Sequence, residues 1–581
     1  MSTASKAPLS PAAASATAIA KAIKHTGEHA YPKDLLYYVF SFVAVGIIIN
    51  LYSIAWAFWR RHRFAKGVSS TPSSGLGRLL AAGLTASRIF AFRWRFPAIN
   101  LTLLEILLSS LYLLALLLWT FCNTQTLAIK EYSDRCGHIA AAQMPVLVAL
   151  SMKNNIIGWV TGLSHEKLTA MHRAVARVLL VEVWIHGWTR VKINAPAMVM
   201  TTWRTEGLVV GLIYTTLVLI SVAPIRKRWY ELFFIVHTAM AFVIIVLTFL
   251  HTRGAGNFEY YIWPCFVIWG FDRGCRYIRY IILSNLKSPN SAPAEIELLN
   301  HDTLRVTATR YVPFGWRAGQ HMFLAFPTLS PLESHPFTIS NIAAGDEKSK
   351  KLVWIVRVRD GFTKRLKEYA TAQDKAGVAT APIYLDGPYG APPDITPFST
   401  CVFIAGGSGI TYTLPRLREL LLQVAAQHAC ARRIVFVWAV RHASHINWAV
   451  DDLRAALADV APGVTLALSV FVTSDGAVDG DAAHSLDDSS STTSDPEKEA
   501  YDEKTEAPRV KGLTTLAGRP DIRQILEDAV KGSDGPVSVD VSGPEPLVAC
   551  VRESLSHGFA APRAVLKGAP TVQLNVESFT M

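Results

Sequence analysis

Seven apolar stretches in the first half of this 581-residue chain constrain its fold more than any other feature. The first covers residues 35–59, which is long enough to cross the roughly 30 Å hydrocarbon core of a bilayer as a helix. Six more follow, at residues 99–121, 139–162, 171–188, 207–223, 232–250 and 258–271. Hydrophobic residues make up 51% of the chain and charged residues only 18%, against about 25% in ordinary soluble proteins. We therefore predict an integral, multi-pass membrane protein.

Basic residues between the apolar stretches predict the orientation of the chain. Residues 60–95 contain eight Lys or Arg and no acidic residue, and further basic residues mark positions 226–228 and 273–279. Because Lys and Arg are enriched in cytoplasmic loops, these ends are expected in the cytosol, with the N-terminal tail outside and the C-terminal half inside. We attribute the net charge of +12 to basic residues that flank the apolar stretches. The expected partner is therefore a lipid bilayer, and no nucleic-acid binding is expected. Residues 1–34 lack the apolar core and cleavage site of a secretory signal peptide.

The second half of the chain has a different texture. Short β-rich runs at residues 303–309, 322–326 and 352–358 are separated by Gly and Pro turns. From residue 401 onward, strands and helices alternate (401–405, 414–428, 434–440, 448–457), which predicts βαβ units around a parallel sheet. Residues 475–509 hold eleven acidic and three basic residues, and their few apolar side chains predict a disordered insertion at about 475–510.

These observations predict a multi-domain membrane protein. We expect an extracellular tail (1–34), an all-α transmembrane bundle of seven helices (35–286), a β-rich cytosolic domain (287–395) and an α/β cytosolic domain (396–581).

Four histidines lie in or directly beside two of the apolar stretches. The fourth stretch holds His172 and His186, and the sixth holds His237 and is directly followed by His251. Each spacing is 14 residues, just under four helical turns, so each pair shares one helix face at a separation of about 21 Å. Because the two helices run in the same direction, His172 can face His237 and His186 can face His251. Two such pairs suit two six-coordinate b-type haems, whereas about 21 Å between the ligands of one helix disfavours a zinc site.

Two other polar residues of the apolar stretches have no settled role. Lys153 interrupts the third stretch, and it either approaches a haem propionate or the electron acceptor, or extends to the membrane surface, or shows that the predicted span is misplaced. Glu182 lies one turn before His186 and is left unassigned.

Cys122 and Cys136 flank an outer segment, where an oxidising compartment allows disulfides to persist. We predict that they pair, and the alternative is two free thiols at helix ends.

Two motifs mark the cytosolic half. The run His335-Pro336-Phe337-Thr338-Ile339-Ser340 follows a β-rich stretch that begins with Gly319-Gln320-His321. The run Gly406-Gly407-Ser408-Gly409-Ile410-Thr411 follows an apolar strand and precedes a helix. Glycines allow a pyrophosphate to approach the backbone, and a helix N-terminus favours its negative charge.

In this order, the histidine pairs and the two motifs resemble fungal ferric reductases, within the superfamily that also contains NADPH oxidases. The resemblance implies a ferredoxin–NADP reductase-like module, with FAD on an antiparallel β-barrel and NADPH on a Rossmann-like α/β domain. It implies that the flavin is bound by His335, Pro336, Phe337, Thr338 and Ser340, and that Phe579 covers the flavin ring. It implies that NADPH is bound by Gly406, Gly407, Gly409, Thr411, Arg441, Gly543 and Pro544. Ser542 departs from the family, which has Cys at that position.

The resemblance implies an NADPH-dependent ferric-chelate reductase that passes electrons through FAD and two haems to extracytoplasmic ferric or cupric ions. A superoxide-generating NADPH oxidase would have the same electron path, and a haem-containing anchor for other proteins is a third hypothesis. Candidate acceptor-binding groups on the outer segments are Glu131, Asp134, His138, Glu206 and Glu259, and the alternative for each of them is a solvated polar residue of a loop. The plasma membrane and the vacuolar membrane are both candidate locations, and iron-uptake proteins or a second copy of the chain are candidate partners.

Overall fold

The structure is a computed structural model. It describes residues 15, 18–19, 21–22, 29–67, 75–96, 101–122, 128–194, 201–284, 293–331, 333–343, 349–373, 378–473 and 510–577. Most of the predicted tail, the predicted acidic insertion and Phe579 lie outside these residues. The chain divides into two compact units, one of Met1–Tyr52 with Phe96–Cys275 and one of Ser53–Arg95 with Arg276–Met581.

Long helices form the first unit. Among the described residues, seven helices have 19 or more residues, and the first and last of them continue into the second unit: Tyr31–Ala65, Leu103–Phe121, Ile129–Ser151, His165–Asn194, Thr202–Ile220, Tyr230–Gly256 and Trp263–Ser284. Shorter helices are Ile156–Thr161, Ala223–Arg228 and the 3-10 turn Glu259–Tyr261. Ile129–Ser151 packs along His165–Asn194, and Thr202–Ile220 packs along Tyr230–Gly256.

Within the part of the chain that the structure describes, four helices are long and apolar enough, by length and composition, to cross a membrane: Tyr31–Ala65, Leu103–Phe121, Thr202–Ile220 and Tyr230–Gly256. The protein therefore has a membrane part, but the predicted count of seven spans is supported only in part. Ile129–Ser151, His165–Asn194 and Trp263–Ser284 carry more charged residues, such as the Lys, Glu, Asp and Arg in the first two turns of Ile129–Ser151.

The predicted third span is wrong in its bounds. Helix Ile129–Ser151 ends before Lys153, and the next helix, Ile156–Thr161, begins after a break. Asn155 caps that next helix, because its side-chain oxygen accepts a hydrogen bond from the Ile157 amide at 3.0 Å. The apolar residues after the break explain why the predicted span extended to residue 162. Of the three interpretations of Lys153, the misplaced span is the one that the structure supports.

The second unit contains two small antiparallel sheets. One has four strands in the order Ser349–Arg357, Thr303–Tyr311, Ala294–Asn300, Ala379–Ala381, and the other has the order His335–Thr338, His321–Ala325, Tyr384–Tyr389. Alternating residues of both sheets share one core with helix Phe362–Gln373. The arrangement agrees with the predicted barrel in part, as two sheets around a common core.

A six-stranded parallel sheet follows, as the βαβ alternation predicts. Its strand order is Thr514–Ala517, Thr465–Val472, Arg433–Val440, Thr400–Gly406, Val537–Ser542, Val572–Glu577. Its helices include Ile410–Ala425, Val450–Ala458, Ile522–Lys531, Glu545–Ser554 and Pro562–Leu566. The strand order reverses between Thr400–Gly406 and Val537–Ser542, and such a switch point is where open α/β sheets bind ligands.

The second unit also includes a helix that the sequence analysis did not predict. It covers Gly75–Arg88 and continues as a π-helical turn at Ile89–Arg93. Short strands at Arg95–Phe96 and Leu101–Thr102 follow.

Candidate functional site

The first histidine pair lies between helices His165–Asn194 and Tyr230–Gly256. The ring centres of His172 and His237 are 6.3 Å apart, with 67° between the ring planes. Nδ1 of His172 is 2.9 Å from the carbonyl oxygen of Leu147. A carbonyl oxygen can only accept, so Nδ1 of His172 carries the proton and Nε2 keeps a lone pair. Nδ1 of His237 is buried without a hydrogen-bond partner.

The second pair has the same geometry 14 residues further along both helices. The ring centres of His186 and His251 are 6.3 Å apart, with 77° between the planes. Nδ1 of His186 is 2.7 Å from the carbonyl oxygen of Ser133, and Nδ1 of His251 is 2.7 Å from that of Trp203. In the neutral imidazole both Nε2 atoms are then free of protons, which is the form that binds metal ions.

Two glycines make room for the rings of the second pair. A Cβ at Gly137 would lie 2.8 Å from the ring of His186, and a Cβ at Gly207 would lie 2.6 Å from the ring of His251. Both distances are well below an ordinary carbon contact of about 3.5 Å. Each ring is thus held between a carbonyl oxygen and a helix surface that only glycine provides.

The distance between the rings fits two imidazoles on one metal ion. Because a metal–imidazole bond is about 2.0–2.1 Å long and the ring nitrogen lies about 1.1 Å from the ring centre, two imidazoles on opposite sides of an ion have centres about 6.2–6.4 Å apart. Both pairs show 6.3 Å. The donor set therefore fits two bis-histidine centres, as the spacing in the sequence predicts.

Glu182 lies between the two pairs and is buried. Its carboxylate oxygens lie 3.0 and 3.1 Å from the hydroxyl of Thr120, which can donate to only one of them at a time. The sequence left this residue unassigned, and among the described hydrogen bonds its carboxyl group is paired with this neutral partner.

The predicted disulfide between Cys122 and Cys136 is absent, because both residues are free cysteines in the structure. Cys136 is buried within helix Ile129–Ser151, whereas Cys122 is exposed at the end of helix Leu103–Phe121. The guanidinium of Arg135 donates a hydrogen bond to the carbonyl oxygen of Cys122, so this contact joins the two helix ends. The alternative of two free thiols is the one that the structure supports.

Three of the candidate acceptor-binding groups have other contacts. Glu131 accepts a hydrogen bond from the amide of Ala128, at the start of its own helix, at 3.1 Å. Asp134 forms an ion pair with Arg190. His138 is buried, so it is not available to a docked metal chelate.

The flavin motif forms strand His335–Thr338 of the three-stranded sheet. It pairs with His321–Ala325, so that His321 lies opposite Thr338 and Leu324 opposite His335. The ring of His335 stacks on Phe362, with centres 4.4 Å apart. Pro336 and Phe337 are half-buried. Ser340 has a structural contact, since its hydroxyl accepts a hydrogen bond from the Ile355 amide at 3.2 Å.

A buried carboxylate lies on the third strand of the same sheet. Asp386 accepts hydrogen bonds from Nε of Arg276 at 2.8 Å, Nε of Arg279 at 3.1 Å and the hydroxyl of Tyr389 at 2.7 Å. Burial and the charge of Asp386 raise the pKa of Tyr389, so its hydroxyl keeps the proton that it donates. This cluster could not be predicted, because nothing in the sequence pairs residues 276 and 279 with residue 386.

The nucleotide motif lies at the carboxyl end of strand Thr400–Gly406, at the switch point of the sheet. A Cβ at Gly409 would lie 2.0 Å from the carbonyl oxygen of Ser542, and a Cβ at Gly406 would lie 2.7 Å from Pro544. Gly407 has φ +53°, a conformation that favours glycine. These glycines thus allow the loop to pack against residues 542–544. Thr411 is buried, and its hydroxyl donates to the Ser408 carbonyl oxygen at 3.0 Å.

Residues from two neighbouring strands complete this end of the sheet. Arg441 is exposed just after strand Arg433–Val440. Ser542 ends strand Val537–Ser542, and Gly543 and Pro544 follow it. The hydroxyl of Ser542 is buried and has no hydrogen-bond partner. The structure therefore brings the predicted nucleotide-binding residues to one edge of the sheet.

Comparisons with known proteins match three consecutive parts of the chain. Residues 136–248 match the ferric reductase like transmembrane component, residues 289–393 an FAD-binding domain, and residues 398–556 the ferric reductase NAD binding domain. The fold and these matches define a membrane protein with an FAD-binding and an NAD-binding domain. Its transmembrane and nucleotide-binding regions are similar to those of ferric reductases.

Two curated relatives illustrate the similarity. A "probable cell surface ferric reductase" of Aspergillus oryzae is 29% identical over 420 residues, which cover 66% of this chain and 54% of the relative. A "ferric/cupric reductase transmembrane component" of Candida albicans is 26% identical over 443 residues, which cover 74% of this chain and 55% of the relative. The chain thus spans about half the length of these relatives. A solved ferredoxin NADP+ reductase from Neisseria gonorrhoeae is 14% identical, with a TM-score of 0.29, and covers 50% of this chain and 98% of its own.

Proposed function

We propose that this chain is a transmembrane ferric-chelate reductase, which passes electrons from cytosolic NADPH through FAD and two b-type haems to ferric ions across the membrane, with cupric ions as a second acceptor. The observation that carries the proposal is the pair of histidine sites. Both have ring centres 6.3 Å apart, and three of the four Nδ1 atoms lie within 2.9 Å of a carbonyl oxygen. The FAD- and NAD-binding domains on the same chain supply the other end of an electron path.

In the membrane, the chain holds and orients the axial ligands. Bound haem supplies a one-electron carrier at each site. The carbonyl oxygens of Leu147, Ser133 and Trp203 fix three rings in the tautomer that leaves Nε2 unprotonated. If both histidines of a pair bound one haem iron, no position would be left for an exogenous ligand, and reduction of the acceptor would be outer-sphere and would tolerate chelates of varied shape. Glu206 and Glu259 remain the candidate acceptor-binding groups.

In the cytosol, the chain orients the flavin and the nucleotide. FAD, when bound, would supply a carrier that can take a hydride from NADPH and pass on single electrons. We assign the flavin contacts to His335, Pro336, Phe337, Thr338 and Ser340, with Phe579 over the flavin ring. The nucleotide contacts are Gly406, Gly407, Gly409, Thr411, Gly543 and Pro544. Arg441 follows the strand next to the glycine loop, where a guanidinium can bind the 2′-phosphate that distinguishes NADPH from NADH.

The proposal includes the topology expected from the charges. Seven spans within residues 35–286 would place the tail of residues 1–34 outside, and the domains of residues 287–395 and 396–581 in the cytosol. The plasma membrane is the preferred location, with the vacuolar membrane as the alternative.

Purified full-length protein in nanodiscs tests the proposal. We expect NADPH to support ferric-chelate reduction without oxygen, with two ferrous ions formed for each NADPH consumed, because a hydride carries two electrons. Loss of reduction under anaerobic conditions, or its abolition by superoxide dismutase, would identify a superoxide-generating oxidase instead. Failure of NADPH to bleach the flavin spectrum would favour the haem-containing anchor.

A further inference from the structure

An apolar surface lies on the helix that follows the first apolar stretch. Helix Gly75–Arg88 continues as the turn Ile89–Arg93 and ends in strand Arg95–Phe96. We call residues 75–96 the surface segment. Eight of its large apolar side chains are 49–69% exposed, namely Leu76, Leu79, Leu80, Leu84, Phe90, Phe92, Trp94 and Phe96. So many neighbouring exposed apolar residues mark an interaction site.

The helix of the surface segment has its most apolar face outward. Leu76, Leu80 and Leu84 follow one another at intervals of four residues, so they share a face of the helix. The opposite face, which includes Ala82 and Thr85, is buried in the second unit. A soluble protein would bury the leucines and expose the small polar face. The orientation indicates that the leucines meet an apolar phase outside the protein.

The buried face ties the surface segment to the parallel-sheet domain. Helix Gly75–Arg88 packs against helix Pro562–Leu566. Arg93 is buried, and its guanidinium donates to the carbonyl oxygen of Val572 at 2.9 Å and also to that of Leu555. Val572 is the first residue of strand Val572–Glu577, and Leu555 directly follows helix Glu545–Ser554. The segment is therefore a packed part of the nucleotide-binding domain.

The same unit also holds the end of the first apolar helix. Arg60 directly follows the apolar stretch of residues 35–59, and its guanidinium donates to the carbonyl oxygen of Pro397 and to the hydroxyl of Ser399. Arg61 forms an ion pair with Asp394 at 2.9 Å. Nine residues, 66–74, separate Ala65, the last residue of this helix, from Gly75, and they span at most about 36 Å. The surface segment thus begins within about 36 Å of the end of the first apolar helix.

The charge of this region favours lipid over a second copy of the chain. Residues 60–95 contain eight Lys or Arg and no acidic residue. Arg60 and Arg93 are buried in the domain, and Arg61 and Arg95 form ion pairs with Asp394 and Glu545. The other four, Arg63, Lys66, Arg78 and Arg88, are exposed or half-buried. Two surfaces with these charges would repel each other, whereas anionic lipid headgroups would attract them. Apolar residues on one side with arginines at the edges are also typical of helices that lie in the headgroup region.

We propose that the surface segment lies in the headgroup region of an anionic lipid leaflet and anchors the nucleotide-binding domain to the membrane surface. Leu76, Leu79, Leu80 and Leu84 enter the acyl boundary, and the aromatic side chains of residues 90–96 lie at headgroup level. Arg93 links the anchor to the domain. The anchor does not depend on which metal ion the protein reduces.

Fluorescence quenching in nanodiscs tests the proposal on the full-length protein. The exposed cysteines are first removed by Cys122→Ser and Cys550→Ser. A nitrobenzoxadiazole dye is then attached to Leu80→Cys or Leu84→Cys. Asp451→Cys provides the matched control, because the side chain of Asp451 is 90% exposed on another helix of the same domain. Doxyl-labelled phosphatidylserine or phosphatidylcholine serves as the quencher.

We expect doxyl lipids to quench the dye at residues 80 and 84 strongly and to leave the dye at residue 451 almost unchanged. Doxyl-phosphatidylserine is expected to quench more per mole than doxyl-phosphatidylcholine. Equal quenching by both lipids would overturn the anionic preference. Blue-shifted emission from the dye at residue 80 or 84 without quenching by lipid would mean that protein covers the segment. That protein would be a second copy of the chain or residues 474–509 of the same chain. If water-soluble iodide quenched the dye at residue 80 or 84 as strongly as the dye at residue 451, the proposal would be overturned.

Discussion

Gly207→Ala is expected to remove the haem that we propose for the His186 and His251 site. The new Cβ would lie 2.6 Å from the ring of His251, about 0.9 Å inside an ordinary carbon contact of about 3.5 Å. The ring must therefore move by about 0.9 Å, whereas a metal–ligand distance tolerates only about 0.2 Å. Overpacking of this kind also costs about 1–3 kcal/mol where the surroundings can adjust. The loss should be confined to one of the two sites.

The assay counts haem per protein and follows two reactions separately. We expect the pyridine haemochrome ratio to fall from two towards one, with ferric reduction largely lost and flavin bleaching by NADPH retained. Gly270→Ala is the matched control, because a Cβ there has no atom within 4 Å and Gly270 lies on another helix of the same unit. Gly137→Ala should repeat the effect through His186, since its Cβ would lie 2.8 Å from that ring. Two haems with an unchanged spectrum in both Gly207→Ala and Gly137→Ala would refute this account of the site.

Three further variants test other parts of the site. His237→Ala should halve the haem content and block ferric reduction while flavin bleaching by NADPH continues; two retained haems would show that the ligand assignment is wrong. Arg441→Ala should weaken NADPH but not NADH binding by about 1.5–3 kcal/mol, the contribution of a hydrogen bond to a charged group, and the ratio of the two KM values measures it; an unchanged ratio would remove Arg441 from the 2′-phosphate site. Ser542→Ala should leave the nucleotide-free protein as stable or more stable in thermal unfolding, because it removes a buried hydroxyl without a partner, whose burial costs about 1–3 kcal/mol; a lower Tm would mean that this hydroxyl has a partner in the protein.

The histidine pairs could be predicted because both members of a pair lie on one regular element. Their spacing of 14 residues determines the shared helix face before any packing is known. The groups that orient the rings could not be predicted in the same way. Leu147, Ser133 and Trp203 each accept the ring hydrogen bond through a backbone oxygen, and each lies on a different element from the ring that it contacts. Backbone acceptors leave no trace in the residue type.

The glycines of the nucleotide motif have a packing role that differs from the role that we predicted for them. We expected them to admit a pyrophosphate, but Gly409 is required by the carbonyl oxygen of Ser542, more than 130 residues away in the chain. The surface segment was missed for the opposite reason. Its arginines indicate a cytoplasmic loop, and the prediction did not use the four-residue spacing of the leucines among them. The predicted span of residues 139–162 also crosses a break between two helices. Polar residues such as Lys153 and Asn155 are too few to lower the mean hydropathy of that stretch.

The 14-residue offset between the histidine pairs has an electrical consequence for the proposed reductase. An electron that moves from the level of His172 to that of His186 travels about 21 Å, or about two thirds of a 30 Å hydrocarbon core. A full crossing changes the energy of one charge by about 2.3 kcal/mol per 100 mV, so this step accounts for about 1.6 kcal/mol per 100 mV. An inside-negative potential would drive the electron outward, and each turnover would depolarise the cell. Iron reduction by intact cells should therefore slow when the membrane potential is collapsed.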